Sequence, residues 1–332
     1  MKQIKLGQSG PMVSCLGYGA MSFSDFYGAT TDENSFAILD EAMAAGVTHL
    51  DTANVYGMGR SERVIGDYLK ARPDARNHFT IATKAAITRD GEGNRIFRND
   101  LEHLEAELDA SLKRLGVEAV DLFYAHRRDK SRPIEESAEA LGALVRKGKA
   151  KAIGLSEISP TTLARAHAVH QIAAVQSEYS LSTRSPDLGL VQGCARIGAT
   201  FVAFSPVGRS FLTDTPLSWE TVQGLPFLAA NPRFSSETYP ANIAATDAFR
   251  ALAAEMGTSA AALAIAWTLA QGDHVLPIPG TRSLTHFRQH IAGANMTLTT
   301  TDLAAIEAVL PAGWAHGDRY SDEQWIGPER YC

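Results

Sequence analysis

The feature that most constrains this fold recurs three times in the first half of the chain: a short apolar run ending in an ionisable side chain. Gly46-Val47-Thr48-His49-Leu50 ends at Asp51, and the loop that follows carries Tyr56. Phe79-Thr80-Ile81-Ala82-Thr83 ends at Lys84, and Ala119-Val120-Asp121-Leu122-Phe123-Tyr124-Ala125 ends at His126. In parallel α/β architectures the C-terminal edge of the strands is where ligands bind. Proton-sharing groups carried to one edge by separate strands point to an enzyme.

The rest of the chain keeps the same alternation. Strands are predicted at 48–51, 79–83, 119–125, 150–155, 173–176, 200–204 and 274–278, after a first one at Leu16-Gly17-Tyr18-Gly19. Helices are predicted from Thr30, with Glu33 at capping-box spacing, to Gly46, then at 61–69 and 100–115, with Asn99 and Glu102 again at that spacing. Others are opened by Pro133 and by Ser159-Pro160, or lie at 187–197, 242–256, 259–269, 283–292 and 301–309. Residues 3–6 and 12–15 flank Gly7-Gln8-Ser9-Gly10-Pro11 and read as an N-terminal hairpin. Residues 206–240, rich in Pro, Ser and Thr, read as a long loop after strand seven, and loops of that length are usually functional. The sum is an α/β chain forming a (β/α)₈ TIM barrel over 1–332 as a single domain, with an N-terminal hairpin and extra C-terminal helices. An open doubly wound sheet would carry a glycine fingerprint after its first strand; Gly17-Tyr18-Gly19-Ala20-Met21-Ser22 lacks the third glycine and the prompt helix.

Charge and cysteine usage narrow the function. A formal net charge of -6, spread rather than massed, recommends neither nucleic acid nor an anionic membrane as partner. Cys15, Cys194 and Cys332 lie far apart and match no metal or redox spacing. The N-terminus has no apolar core of signal-peptide length and no window reaches a membrane span, so the expected location is cytoplasmic and the expected partner a small molecule.

Motifs in a fixed order add a family likeness. Leu16-Gly17-Tyr18-Gly19, Asp51-Thr52-Ala53-Asn54-Val55-Tyr56-Gly57, Ala82-Thr83-Lys84, Asp121-Leu122-Phe123-Tyr124-Ala125-His126-Arg127, Gly154-Leu155-Ser156, Gln176-Ser177-Glu178-Tyr179-Ser180, Phe204-Ser205-Pro206-Val207-Gly208 and Ile278-Pro279-Gly280-Thr281-Arg282 follow one another as in the aldo-keto reductases, which the chain resembles from Lys5 to about Leu310. The chemistry is also legible directly. Carbonyl reduction needs a hydride donor and a proton donor, and a phenol near pKa 10 is eased by a neighbouring ammonium. Asp51 can hold Lys84 charged and oriented, while His126 can position the carbonyl oxygen or assist the proton. The resemblance implies the same roles, with Tyr56 as general acid and no metal.

The resemblance further implies NADPH as cofactor, bound without a Rossmann domain. Ser156 and Gln176 would take the nicotinamide carboxamide and Phe204 would stack on its ring. Ser205, Val207, Gly208 and Arg209 would wrap the pyrophosphate, with Gly280, Thr281 and Arg282 at the adenosine 2'-phosphate. Many relatives have Glu-Asn near the adenine where this chain has Gln289-His290, preceded by Arg288, and many have Asn where it has Glu157. Tyr18, Met21, Phe23, Tyr56, His126, parts of 206–240 and the tail near Trp314 are expected to line the substrate pocket. Two other readings stay open: a different reaction on the same barrel, and a noncatalytic nucleotide-binding subunit like the reductase-like subunits of potassium channels.

Overall fold

The computed structural model describes residues 1–330 and Cys332. At its centre eight parallel strands form a ring: β1 (Tyr18–Gly19), β2 (His49–Asp51), β3 (Thr80–Ala85), β4 (Leu122–Ala125), β5 (Ile153–Ser156), β6 (Ile172–Glu178), β7 (Thr200–Phe204) and β8 (Val275–Pro277). The ring closes where Gly17 N donates to Pro277 O at 3.0 Å and Gly19 N to Pro279 O at 3.1 Å. Only glycine fits this seam: a Cβ on Gly19 would lie 2.6 Å from Ile278 O, and one on Gly280 would collide with Gly19 O. Outside the ring run α1 (Asp32–Ala44), α2 (Arg60–Ala71), α3 (Leu101–Leu115), α4 (Ile134–Arg146), α5 (Pro160–Val169), α6 (Leu190–Ile197), α7 (Ala260–Leu269) and α8 (Leu284–Ala294). With helices on one face and the packed interior on the other, every residue of β2, β4, β5 and β6 is buried. Among the described residues no single helix is long and apolar enough to cross a membrane.

The N-terminal hairpin (Gln3–Lys5 with Met12–Ser14) plugs the bottom of the ring. Thr200 Oγ1, at the start of β7, accepts from Gly7 N at 2.9 Å and donates to Lys5 O at 3.1 Å. The opposite, C-terminal edge of the strands therefore forms the mouth.

Several local expectations shift for physical reasons. The cap of α1 is Thr31, which accepts from Asn34 N at 3.1 Å, rather than Thr30. The cap of α3 is Asp100; Asn99 is buried and instead joins two loops, donating to Arg127 O at 3.1 Å and accepting from Asp129 N at 2.7 Å. The helix expected at 187–197 breaks at Gly189, whose φ of 133° leaves a 3₁₀ turn, Ser185–Leu188, ahead of α6. The one expected at 242–256 is two, Tyr239–Ala245 and Asp247–Glu255, parted at Thr246, whose hydroxyl bonds back to Ile243 O at 2.9 Å. A hairpin that the sequence pattern did not indicate, Ile87–Arg89 with Arg95–Phe97, follows β3 at the mouth.

The 206–240 segment is also less irregular than expected. It contains the short helices Trp219–Gln223 and Pro226–Ala229 and the 3₁₀ turn Pro232–Phe234, around a small core of Phe211, Val222, Leu228, Phe234 and Tyr239. Pieces this brief, cut by prolines, cannot display a helical period.

Candidate active site

The first part of the mouth is built by β2, β3 and β4. Beyond Asp51 the chain keeps pairing with β3, Thr52 N donating to Ala82 O at 2.9 Å and Asn54 N to Lys84 O at 3.0 Å. Asn54 Nδ2 anchors this loop to α3 through Glu107 Oε2 at 2.6 Å. Left-handed backbone at Gly57, Met58 and Gly59 (φ 59°, 53° and 89°) then coils the chain into α2, so Tyr56 is turned back over the strand ends.

Lys84 lies in the interior, fully buried, ion-paired to Asp51 Oδ1 and donating to Thr52 O at 2.8 Å. Its Nζ stands 5.2 Å from the centre of the Tyr56 ring and 5.7 Å from that of Tyr124. The His126 ring meets Tyr56 edge-on, 5.7 Å between centres at 80°. Asp51, Tyr56, Lys84 and His126 are thus brought together. Burial would strip Lys84 of its proton, yet Asp51 and Tyr56 outweigh that and hold it above its ordinary pKa. Burial likewise drives Tyr56 upward; Lys84 opposes the rise without cancelling it, and Asp51 adds to it. The ammonium therefore moderates the phenol rather than bringing it below 10, as simple pairing implied, and Tyr56 stays protonated at neutral pH. Burial, reinforced by Arg127, Lys84 and Arg95, keeps His126 neutral, far below the usual imidazole range, and its Nδ1 has no partner among the described residues.

Under these groups lies Tyr124, which the sequence reading passed over. Its ring crosses Gly154, where a Cβ would collide with it, and its buried hydroxyl has no hydrogen-bond partner among the described residues.

The second part is built by β5 to β8. Ser156 and Gln176 are opposite one another in register and both buried. Gln176 Nε2 donates to Asp51 Oδ2 at 2.8 Å, so the two parts of the mouth are joined there. Arg127 Nη1 reaches Ser156 Oγ at 3.2 Å. Phe204 is half-buried at the end of β7, and the turn after it bends through left-handed backbone at Ser205, Gly208, Arg209 and Ser210. Arg209 directs its guanidinium beneath this turn, 2.7 Å from Glu178 and over the rings of Phe227 and Tyr320. Val207 is half-buried.

At the start of α8, Thr281 and Arg282 are half-exposed, with Arg282 Nη1 on Ala29 O at 2.6 Å. Arg288 forms a two-pronged pair with Glu41 at 2.9 and 3.0 Å, and Gln289 Nε2 donates to Asp214 at 3.2 Å.

Three expected pocket residues are engaged by other parts of the chain. Tyr18 and Phe23 are buried in the layer between barrel and α8, 5.2 Å apart, with Tyr18 against Phe287 and its hydroxyl on Thr281 O at 2.6 Å, so neither lines a pocket. Odd and even positions of a strand face opposite ways, and Tyr18 takes the outward face. Trp314 is half-buried and anchored by Nε1 to Leu181 O at 2.8 Å.

Sequence reading missed one large feature, a buried ionic cluster of Glu157, Glu178, Arg209, Arg233 and Arg319. Burial favours protonating Glu178, but Arg209, Arg319 and Arg233 keep its pKa below the ordinary carboxyl value. The available signals were Glu178 at a strand end and Arg319 within an otherwise aromatic tail.

Comparison with known proteins agrees with this architecture. Residues 15–311 match the model of the aldo/keto reductase family. The chain is 39% identical over 321 residues to a probable aldo-keto reductase 1 of Glycine max, covering 96% of this chain and 92% of that one. It is 37% identical to aldo-keto reductase str7 of Strobilurus tenacellus, over 95% of this chain and 94% of that protein. The structure of the glycerol dehydrogenase AKR11B4 from Gluconobacter oxydans superposes with a TM-score of 0.82 at 26% identity, covering 96% of this chain and 98% of the other. With family motifs, relatives and fold in agreement along nearly its whole length, this chain belongs to the aldo/keto reductase family of oxidoreductases.

Proposed function

We propose that the protein reversibly reduces an aldehyde or ketone to the alcohol with NADPH, Tyr56 giving the proton. The observation that carries this reading is the Lys84–Asp51 ion pair, buried beside a phenol that burial keeps protonated. A buried pair of this kind is costly to assemble, and removing one partner typically loses about 3–5 kcal/mol. Its place against Tyr56 gives it a chemical use: as the carbonyl oxygen gains charge, Tyr56 donates its proton, and Lys84 stabilises the phenolate left behind. Neutral His126 orients the carbonyl oxygen without competing as an acid.

The residues of the second part fit a nicotinamide dinucleotide, which when bound supplies the hydride. Ser156 and Gln176 present adjacent polar groups for a carboxamide, and half-buried Phe204 offers a ring face. Ser205, Val207, Gly208 and Arg209 form a turn suited to the pyrophosphate, with Arg209 bracing it from below. Gly280, Thr281 and Arg282 suit the 2'-phosphate; Arg288 and Gln289 reach the adenine end only by leaving Glu41 and Asp214.

Incubating the protein with NADPH and a panel of aldehydes and ketones, glyceraldehyde included because a glycerol dehydrogenase is among its relatives, tests the reading. Loss of reduced-nicotinamide absorbance with stoichiometric alcohol is expected. Tight NADPH binding with no turnover on any of them would favour the noncatalytic subunit.

A further inference from the structure

After the last helix, Thr300–Val309, the tail returns to the mouth. Arg319 is 2% exposed and pairs with Glu157, Nη1 donating to Oε1 at 3.1 Å and Nη2 lying 2.9 Å from Oε2 as an ion-pair contact. The rings of Tyr320 and Trp325 lie over its guanidinium at 4.7 and 4.8 Å, Nη2 also donates to Cys332 Sγ at 2.8 Å, and its carbonyl accepts from Asn231. Both terminal nitrogens of the guanidinium are thus engaged.

What it grips is unusual. Glu157 follows Ser156 directly and is held at φ 58°, in the left-handed region that a side chain resists. Its own contacts tie the ends of β5 and β6 together: Glu157 N donates to Gln176 O at 2.9 Å, and Oε1 accepts from Glu178 N at 3.0 Å. The tail adds a second fastening, Glu329 N to Glu157 O at 2.8 Å. Among the described residues Arg319 is the only ion-pair partner of Glu157, because Glu178 is served by Arg209 and Arg233. Without Arg319 the strained turn loses its ion-pair anchor to the tail, so it would relax and carry Ser156 with it, whether or not a charge is left behind at Glu157.

We propose that Arg319 is a positioning residue for the nicotinamide end of the cofactor: through Glu157 it holds the turn that presents Ser156 beside Gln176, making the C-terminal tail part of the cofactor seat. This rests on the cofactor reading given above. The adenosine end, at Thr281 and Arg282, is carried by a different strand and has no such fastening to Arg319.

Calorimetric titration of the full chain with NADPH and with adenosine 2',5'-bisphosphate, which lacks the nicotinamide, separates the two ends. The Arg319→Met/Glu157→Gln double variant avoids stranding a charge; its NADPH Kd should rise about tenfold and its bisphosphate Kd less than about twofold, the scale of a lost charged hydrogen bond felt at one end. Arg319→Lys, keeping the charge but losing the fork, should fall between it and the parent, and carries the test if the double variant does not fold. Equal weakening of both ligands, or of neither, would overturn the proposal. Ser156→Ala tells this failure from that of the underlying reading: if it leaves NADPH binding unchanged, Ser156 does not hold the carboxamide; if it weakens NADPH while the Arg319 variants do not, only the tail's role is lost.

Discussion

The two parts of the barrel mouth solve opposite electrostatic problems. Around β2 to β4 the charge is minimal: one buried ion pair, a protonated phenol and imidazoles held neutral, with His126 Nδ1, Tyr124 Oη and both nitrogens of His49 lacking partners. Around β5 to β7 the charge is dense, three arginines interleaved with two glutamates under aromatic covers, while Glu157 Oε2 and the Nε atoms of Arg209 and Arg319 make no hydrogen bond among the described residues. The contrast shows where sensitivity resides. A sparsely charged site lets one proton shift matter, whereas a network of interleaved charges serves to hold geometry.

The largest expected effect is on the sparse side. Tyr56→Phe retains the ring and removes the proton, so kcat/KM for carbonyl reduction should fall by about 10²–10⁴, with NADPH affinity nearly unchanged. Steady-state kinetics beside cofactor titration measures both. A variant as active as the parent would move the acid elsewhere and erase the contrast.

Next in size is an acid-stability effect at His49, which lies inside the barrel two residues before Asp51 and whose pKa burial lowers to about 4. Between the unfolded value, about 6.5, and the folded value the unfolded chain binds the proton and the native one does not, so stability is full above that upper limit and falls as pH drops through the window. Native His49 should cost about 3 kcal/mol on crossing it, and His49→Phe should flatten that part of the denaturation-versus-pH curve. An unchanged slope in urea titrations at several pH values would assign acid sensitivity to other groups, such as His290, lowered by burial to about 3.

The smallest effect belongs to the edge of the dense side. Arg282→Ala should weaken NADPH by about ten- to a hundredfold while leaving NADH nearly unaffected, because a charged hydrogen bond to phosphate is worth roughly 1.5–3 kcal/mol. Fluorescence titration of both nucleotides measures it. Equal weakening of the two would make Arg282 a brace for the segment at Ala29, to which it already donates at 2.6 Å, rather than a phosphate ligand.

How far each part could be read in advance follows from how it is assembled. Asp51, Lys84 and His126 announce themselves because each ends an apolar run, and Tyr56 because its loop is short. The pairing of Glu157 with Arg319 spans 162 positions and involves residue types common on any surface, so no local pattern marks it. Tyr124 is likewise hidden, since its role under Lys84 depends on the space left by Gly154 on the next strand.

By itself the sequence determined the alternation of strands and helices, the closed parallel barrel and which ionisable residues end its strands, because strand period, turn chemistry and burial on both faces are properties of short stretches. Only the tertiary structure decided which face Tyr18 presents, that Tyr56 remains protonated despite its lysine, and that the tail is fastened into the mouth. The first depends on strand register and packing against a distant helix, the others on desolvation and on charges from distant segments, which act through space and leave no trace in the local order of residues.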